Sequence, residues 1–85
     1  MNIMADKLIG EVTNYFKNVN AAAIKLTAPL KVGDKIKIKS SEKEVEVAVK
    51  SMQIDRKPVK EAKKGDEIGL LVPEPVHKDN KVYKI

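Results

Sequence analysis

The side chains able to do chemistry are few, and their spacing excludes more than it offers. There is no cysteine, which removes disulfides, zinc–thiolate sites and thiol nucleophiles together. His77 is the only histidine, so no second imidazole can join it around a transition metal. It follows Pro75-Val76 and reads as a surface loop residue. Ser40, Ser41 and Ser51 lie far from it in sequence, with no nucleophile motif around them. Asp66 and Glu67 are adjacent, so on a strand they face opposite ways and cannot act as a carboxylate pair. No G-x-x-x-x-G-K-[ST] run occurs, which excludes phosphate-loop nucleotide hydrolysis. The sequence therefore implies a protein that binds, with no catalytic residue, metal or cofactor.

Binding candidates lie among the basic residues. Seventeen Lys and Arg against twelve Asp and Glu give a net charge of +5, which permits nucleic acid as a partner. Only Arg56 among the seventeen is an arginine, and dedicated nucleic-acid readers favour arginine's planar fork. The strongest cluster is Arg56, Lys57, Lys60, Lys63 and Lys64, with only Asp55 and Glu61 against it. Five such cations could neutralise several phosphates. Lys35, Lys37 and Lys39 form a second stripe. A turn at Ser40–Lys43 would set Lys39 against Glu44 and Lys37 against Glu46, making that stripe a self-neutralised face. Tyr15 and Phe16, beside Lys17, offer the one aromatic pair. Phe16 shares the Leu8–Val12 face and is expected in the core, leaving Tyr15 partly exposed.

The elements that must position these residues are strands. Eighty-five residues allow one domain (1–85, with the barrel proper from about 7), and three aromatics leave Val, Ile and Leu to fill its core. Leu8 to Phe16 and Ala22 to Leu26 alternate around a turn at Lys17–Asn20, which is a hairpin. Lys35–Lys39 alternates cleanly, as does Glu44–Val49. Met52 and Ile54 fall out of phase with Val45–Val49, which predicts a bulge or bend near Ser51. Pro58 should break the ladder, with Val59 and Ala62 dipping into the core from a loop and Lys60–Lys64 long enough for one helical turn. Ile68–Val72 and Lys81–Ile85 complete the set, with Val82 and Ile85 inward. Val32-Gly33-Asp34-Lys35-Ile36 recurs as Lys64-Gly65-Asp66-Glu67-Ile68, and weakly as Lys78-Asp79-Asn80-Lys81-Val82. Each repeat puts a residue tolerant of positive φ just before a strand. The pattern predicts an all-β fold, a small closed antiparallel barrel of six or seven strands.

Gly10-Glu11-Val12, the Leu30–Ile36 lead-in, and the segment from Val49 to Val72 resemble the second, β-barrel domain of translational GTPases such as elongation factor Tu. A narrower match over Val49–Ile54, Val59–Leu70 and Lys81–Lys84 is similar to small stand-alone elongation-factor-like proteins and to the C-terminal barrel of collagenase-like peptidases. The resemblance implies the translation-protein fold. It also implies a pocket wall for a tRNA end from Gln53 through Gly69. Arg56 matches a family arginine, whereas Gln53 stands where a glutamate is usual and Glu67 where an amide is common. The function implied is a non-enzymatic, translation-factor-like module binding RNA (tRNA or rRNA) or the ribosome. The alternative is a protein–protein module docking on a peptidase-like or RNA-modifying partner.

The start, Met1–Asp6, lacks the charge and apolar pattern of a signal peptide. No run approaches 18 apolar residues. A complete, cytoplasmic gene product is expected. A charged fraction of 34%, mostly Lys and Glu, fits a thermophile's surface. The thermal midpoint should therefore lie well above the mesophilic range of about 45–65 °C, and a midpoint within that range contradicts the reading.

Overall fold

The computed structural model describes residues 7–85, so the expectations for Met1–Asp6 lie outside the described residues. Ten strands follow in chain order: β1 (Lys7–Phe16), β2 (Ala21–Leu26), β3 (Leu30–Lys31), β4 (Lys35–Lys39), β5 (Glu44–Ala48), β6 (Met52–Ile54), β7 (Lys57–Val59), β8 (Glu61–Ala62), β9 (Glu67–Leu71) and β10 (Lys81–Lys84). Eight form one antiparallel sheet in the order β5-β4-β10-β1-β2-β9-β6-β7, and β3 pairs with β8 in a small second sheet. The described residues include no helix.

Alternation explains most of the core. Ile36 and Ile38, Val45 and Val47, and Ile68 and Leu70 are all buried, as are Ile24 and Leu26. No polar or charged residue is buried among those described, so the interior carries no desolvated polar group. Val72 and Val76 flank the Pro73-Glu74-Pro75 segment and close the core at one end.

The barrel expectation needs correction. The large sheet is a strongly curled half-barrel, not a closed barrel. Its edge strands β5 and β7 do not pair with each other. Proline explains one side. Ile54↔Lys57 close the two-residue β6–β7 hairpin and Gln53↔Pro58 come next, so the nitrogen of Pro58 points away from β6 and offers no donor to a closing strand. The β3–β8 pair spans part of the gap instead. Val32 N–H donates to the Lys60 carbonyl and Gly33 N–H to the Val49 carbonyl, each at 2.8 Å.

Other local expectations shift for related reasons. Lys57–Val59 is an edge strand, not a break, and Glu61–Ala62 is strand where one helical turn was expected. Val59 packs against the core and Ala62 is buried within it, both from strands. The irregularity near Ser51 is a full change of strand, from β5 to β6. The register shifts lie in β1, between Leu8 and Gly10 and between Val12 and Asn14. Each shift moves the following side chains to the other face. Ile9 is therefore buried while Leu8 is exposed, and Tyr15 packs on the core while Phe16 is exposed, reversing the expected pair. Ile85 is exposed as well.

The three lead-ins are one turn used three times. Gly33, Gly65 and Asp79 all have positive φ, at 102°, 95° and 75°. The residue after each accepts a backbone hydrogen bond on its side chain: Lys31 N–H on Asp34, Lys63 N–H on Asp66, and His77 N–H on Asn80. Gly33-Asp34 and Gly65-Asp66 are thus structural turns, and Asn80 ties His77 into the third.

Gly10 marks the tightest point of the sheet. A Cβ there would lie 2.6 Å from the Lys25 carbonyl oxygen and 3.0 Å from Ile24 Cγ2. The obstacle is backbone, which cannot rotate aside. Gly10→Ala should destabilise the fold by about 1–3 kcal/mol. Chemical denaturation checks this, and an unchanged midpoint would remove the close approach from the account.

A groove on the outer face of the sheet

The outer faces of β2, β9 and β6 form an open concavity of about 920 Å³. Its floor is made of small residues, Ala21 and Ala23 on β2 and Gly69 on β9. The pairing Ala23↔Gly69↔Gln53 sets three of its residues side by side. Phe16 and Val19 stand along one side, 49% and 59% exposed. Gln53, Asp55 and Arg56 stand along the other, and Asp66 and Glu67 line it as well.

Two features show that the fold does not require this shape. Gly69 has no positive φ, and a Cβ there would meet nothing within 4 Å. A strand ordinarily loses stability at such a glycine. Arg56 is the converse case. Asp55 and Arg56 have φ of 52° and 67° and form the two-residue turn between β6 and β7. Such a turn needs positive φ at both positions and favours Asn or Asp followed by Gly. An arginine in the second position carries a conformational cost of about 1 kcal/mol. No side-chain hydrogen bond or ion pair joins Arg56 to another described residue.

Thr13 holds the Glu67 carboxylate in place. Thr13 Oγ1 lies 2.6 Å from Glu67 Oε2 and 3.2 Å from the Ala23 carbonyl, and its single proton favours the charged acceptor. This bond reaches across β2 from β1 to β9. Asp66 is occupied by its own turn, accepting from Lys63 N–H at 2.9 Å. The lining thus carries Asp55, Asp66 and Glu67 against Arg56, an acidic balance in a chain of net charge +5.

The structure brings together one of the two candidate sets. Gln53, Arg56 and Glu67, the positions that the resemblance placed at the tRNA-end pocket with only Arg56 keeping the family residue, all line this groove. The five cations read as one nucleic-acid cluster do not share a concavity. Arg56 lines the groove, whereas Lys63 lines a separate hollow of about 310 Å³ with Lys31, Glu61 and Lys84. Lys57, Lys60 and Lys64 line neither. The Lys35–Lys39 stripe behaves as charge pairing demands. Lys37 and Lys39 face Glu46 and Glu44 in register, and both lysines reach Glu44, at 3.6 and 3.4 Å. Lys39 also sits 5.2 Å over the Tyr83 ring. Lys81 has its pKa raised above the ordinary lysine value by its hydrogen bond to Glu11, 2.8 Å away on β1; it does not line the groove.

Sequence reasoning missed Phe16, Val19 and the Ala21-Ala23-Gly69 floor. The floor had a signal, since Ala21 and Ala23 occupy the outward positions of their strand. Phe16 had none, because the bulge that turns it outward leaves no mark in the periodicity.

Comparison with known proteins bears on the fold. No protein-family model matches the chain. The crystal structure of the C-terminal domain of a Geobacillus thermoleovorans protein classed as a U32 peptidase superposes with a TM-score of 0.87, covering 92% of this chain and 99% of that one at 15% identity. (That crystal is the selenomethionine variant.) The chain shares the fold of that domain. A second crystal structure of the same domain gives the same TM-score and identity over 93% of this chain and 92% of that one. An uncharacterized protease of Methanocaldococcus jannaschii is 43% identical over 76 residues, which is 88% of this chain and 19% of the protease. The chain therefore spans about a fifth of that relative. The expected likeness to the C-terminal domain of such peptidases is found in the fold.

The groove's sequence opposes stability, and this can be measured. Gly69→Val should leave the fold intact and stabilise it, since β-branched side chains suit strands by up to about 1 kcal/mol. Arg56→Gly should stabilise by about 1 kcal/mol through relief at positive φ. Thermal and denaturant midpoints test both, and a clear loss of stability in either variant would mean that the residue serves the fold itself.

Proposed function

We propose that this chain is a non-catalytic protein-binding module that serves a peptidase-like protein, with the outer-face groove as its contact surface. The observation that carries the reading is Arg56, held in a left-handed turn with no side-chain hydrogen bond or ion pair to a described residue, on the same concavity as Gly69, where the fold has room for a side chain. Strain kept in place by the surrounding structure is a sign of function rather than stability. The relatives support the choice of partner, because the matched proteins are peptidases of which this domain is one part.

The RNA reading is the weaker one on the same surface. Three carboxylates against one arginine would repel a phosphate-bearing chain end in the groove. The cations that could hold a backbone are spread over separate surfaces.

The test uses the Methanocaldococcus jannaschii protease with its matching segment deleted, titrated with this chain by isothermal calorimetry. A 1:1 complex is expected, weakened at least tenfold (about 1.4 kcal/mol) by Gly69→Val or Arg56→Gly, two variants that should remain folded. Labelled tRNA run in parallel should show weak, salt-sensitive binding without preference over random RNA. No complex with the truncated protease, together with tRNA-preferring binding weakened by Arg56→Ala, would overturn the proposal in favour of the RNA reading.

A further inference from the structure

The open sheet leaves two edges, and they differ in chemistry. Along β7, the nitrogen that faces outward belongs to Pro58 and donates nothing, and the Lys60 carbonyl just beyond the strand already accepts from Val32 N–H. That edge offers no outward donor within β7. Along β5 the hydrogen-bond parity is fixed at both ends. Ser40 N–H donates to the Lys43 carbonyl and Val49 N–H to the Asp34 carbonyl, each at 2.9 Å. Odd-numbered residues of β5 therefore bond to β4, and Glu44, Glu46 and Ala48 turn their N–H and C=O groups away from it. β5 pairs with no other strand, and these three residues make no backbone hydrogen bond outside the β4 ladder among the described residues. All three are exposed. The edge is thus a continuous row of three donors and three acceptors.

We propose that β5 accepts an added strand from a partner, and that the strand alternates lysine or arginine with aliphatic residues. The chain shows what β5 takes on its other side: β4 reads Lys35-Ile36-Lys37-Ile38-Lys39, with its lysines facing Glu46 and Glu44. An antiparallel strand of the same pattern on the open side would set a cation beside Glu46, while Glu44 already meets Lys37 and Lys39 at 3.6 and 3.4 Å. Its aliphatic residues would lie on the face of Val45 and Val47. A small hollow of about 110 Å³, lined by Ala48, Val49, Leu70 and Leu71 among others, adjoins the end of β5 and can take one apolar side chain; Leu71 beside it is 63% exposed. The same charges disfavour one register of a second copy of this chain. Two β5 strands paired antiparallel about Glu46 would set Glu46 against Glu46, and like charges directly opposite destabilise a strand pair. Main-chain bonds supply affinity in such strand addition and alternate side chains supply specificity.

The edge is separate from the groove, so its test stands apart from that of the protease partner. The probe is the peptide acetyl-Lys-Ile-Lys-Ile-Lys-amide, followed by amide hydrogen exchange on the isotope-labelled chain. In the free protein the amides of Glu44, Glu46 and Ala48 should exchange rapidly while Val45 and Val47 are protected. Peptide at millimolar concentration should slow the first three by about tenfold or more. The same peptide N-methylated at alternate amides should give no protection. Glu46→Pro removes one outward donor without touching the β4 ladder and should abolish binding. Should that variant fail to fold, Glu46→Lys keeps the backbone and should weaken the cationic peptide about tenfold. Equal binding of the N-methylated peptide, protection confined to groove amides such as Ala23 and Gly69, or no protection of β5 at all would each overturn the proposal.

Discussion

The fold depends on how closely β1 can lie against β2. Gly10 packs against the Lys25 carbonyl and Ile24 with no room for a Cβ, and the register shifts twice along the same strand. β1 pairs with β10 on one side and β2 on the other, at the middle of the eight-strand order. Register shifts there increase the local twist and bend the strand, and the sheet curls around them. The curl brings the aliphatic faces of both flanks onto one core. It also decides what is left outside that core. The second shift turns Phe16 outward at the end of β1, where it becomes a wall of the groove.

The groove and the free β5 edge both follow from a sheet that curls without closing. A closed barrel would use its edges on itself. Here Pro58 removes the donor that a closing strand would need at β7, and the β3–β8 pair bridges the gap with single backbone bonds. The two surfaces then carry opposite designs. At the groove, Gly69 leaves room for a side chain and Asp55-Arg56 hold positive φ. At β5 the backbone itself is on offer, guarded by Glu44 and Glu46 against pairing with its own kind, as edge strands commonly are.

Strand patterning made the core legible wherever one strand stays in register. Ile36/Ile38 with Val45/Val47, the Lys37–Glu46 and Lys39–Glu44 pairing, and the three positive-φ turns all follow from alternation and turn chemistry. What escaped reading depends on contacts between distant segments. Nothing local in Leu8–Phe16 tells where β1 slips, so Tyr15 and Phe16 exchange places. Lys57-Pro58-Val59 reads as a break because proline excludes it from a sheet interior, yet an edge tolerates it. Closure itself is a property of two edges far apart in sequence. The groove was partly legible: resemblance singled out Gln53, Arg56 and Glu67, which do line one concavity, and missed the small floor between them.

The outer-face groove is proposed as the surface through which a peptidase-like protein contacts this module. The most direct measurement is a chemical-shift map of the isotope-labelled chain as the truncated Methanocaldococcus jannaschii protease is added. The largest shifts should fall on Ala21, Ala23, Gln53, Arg56 and Gly69. A map without change at those positions, with tRNA instead shifting the amides of Lys57, Lys60, Lys63 and Lys64, would contradict it.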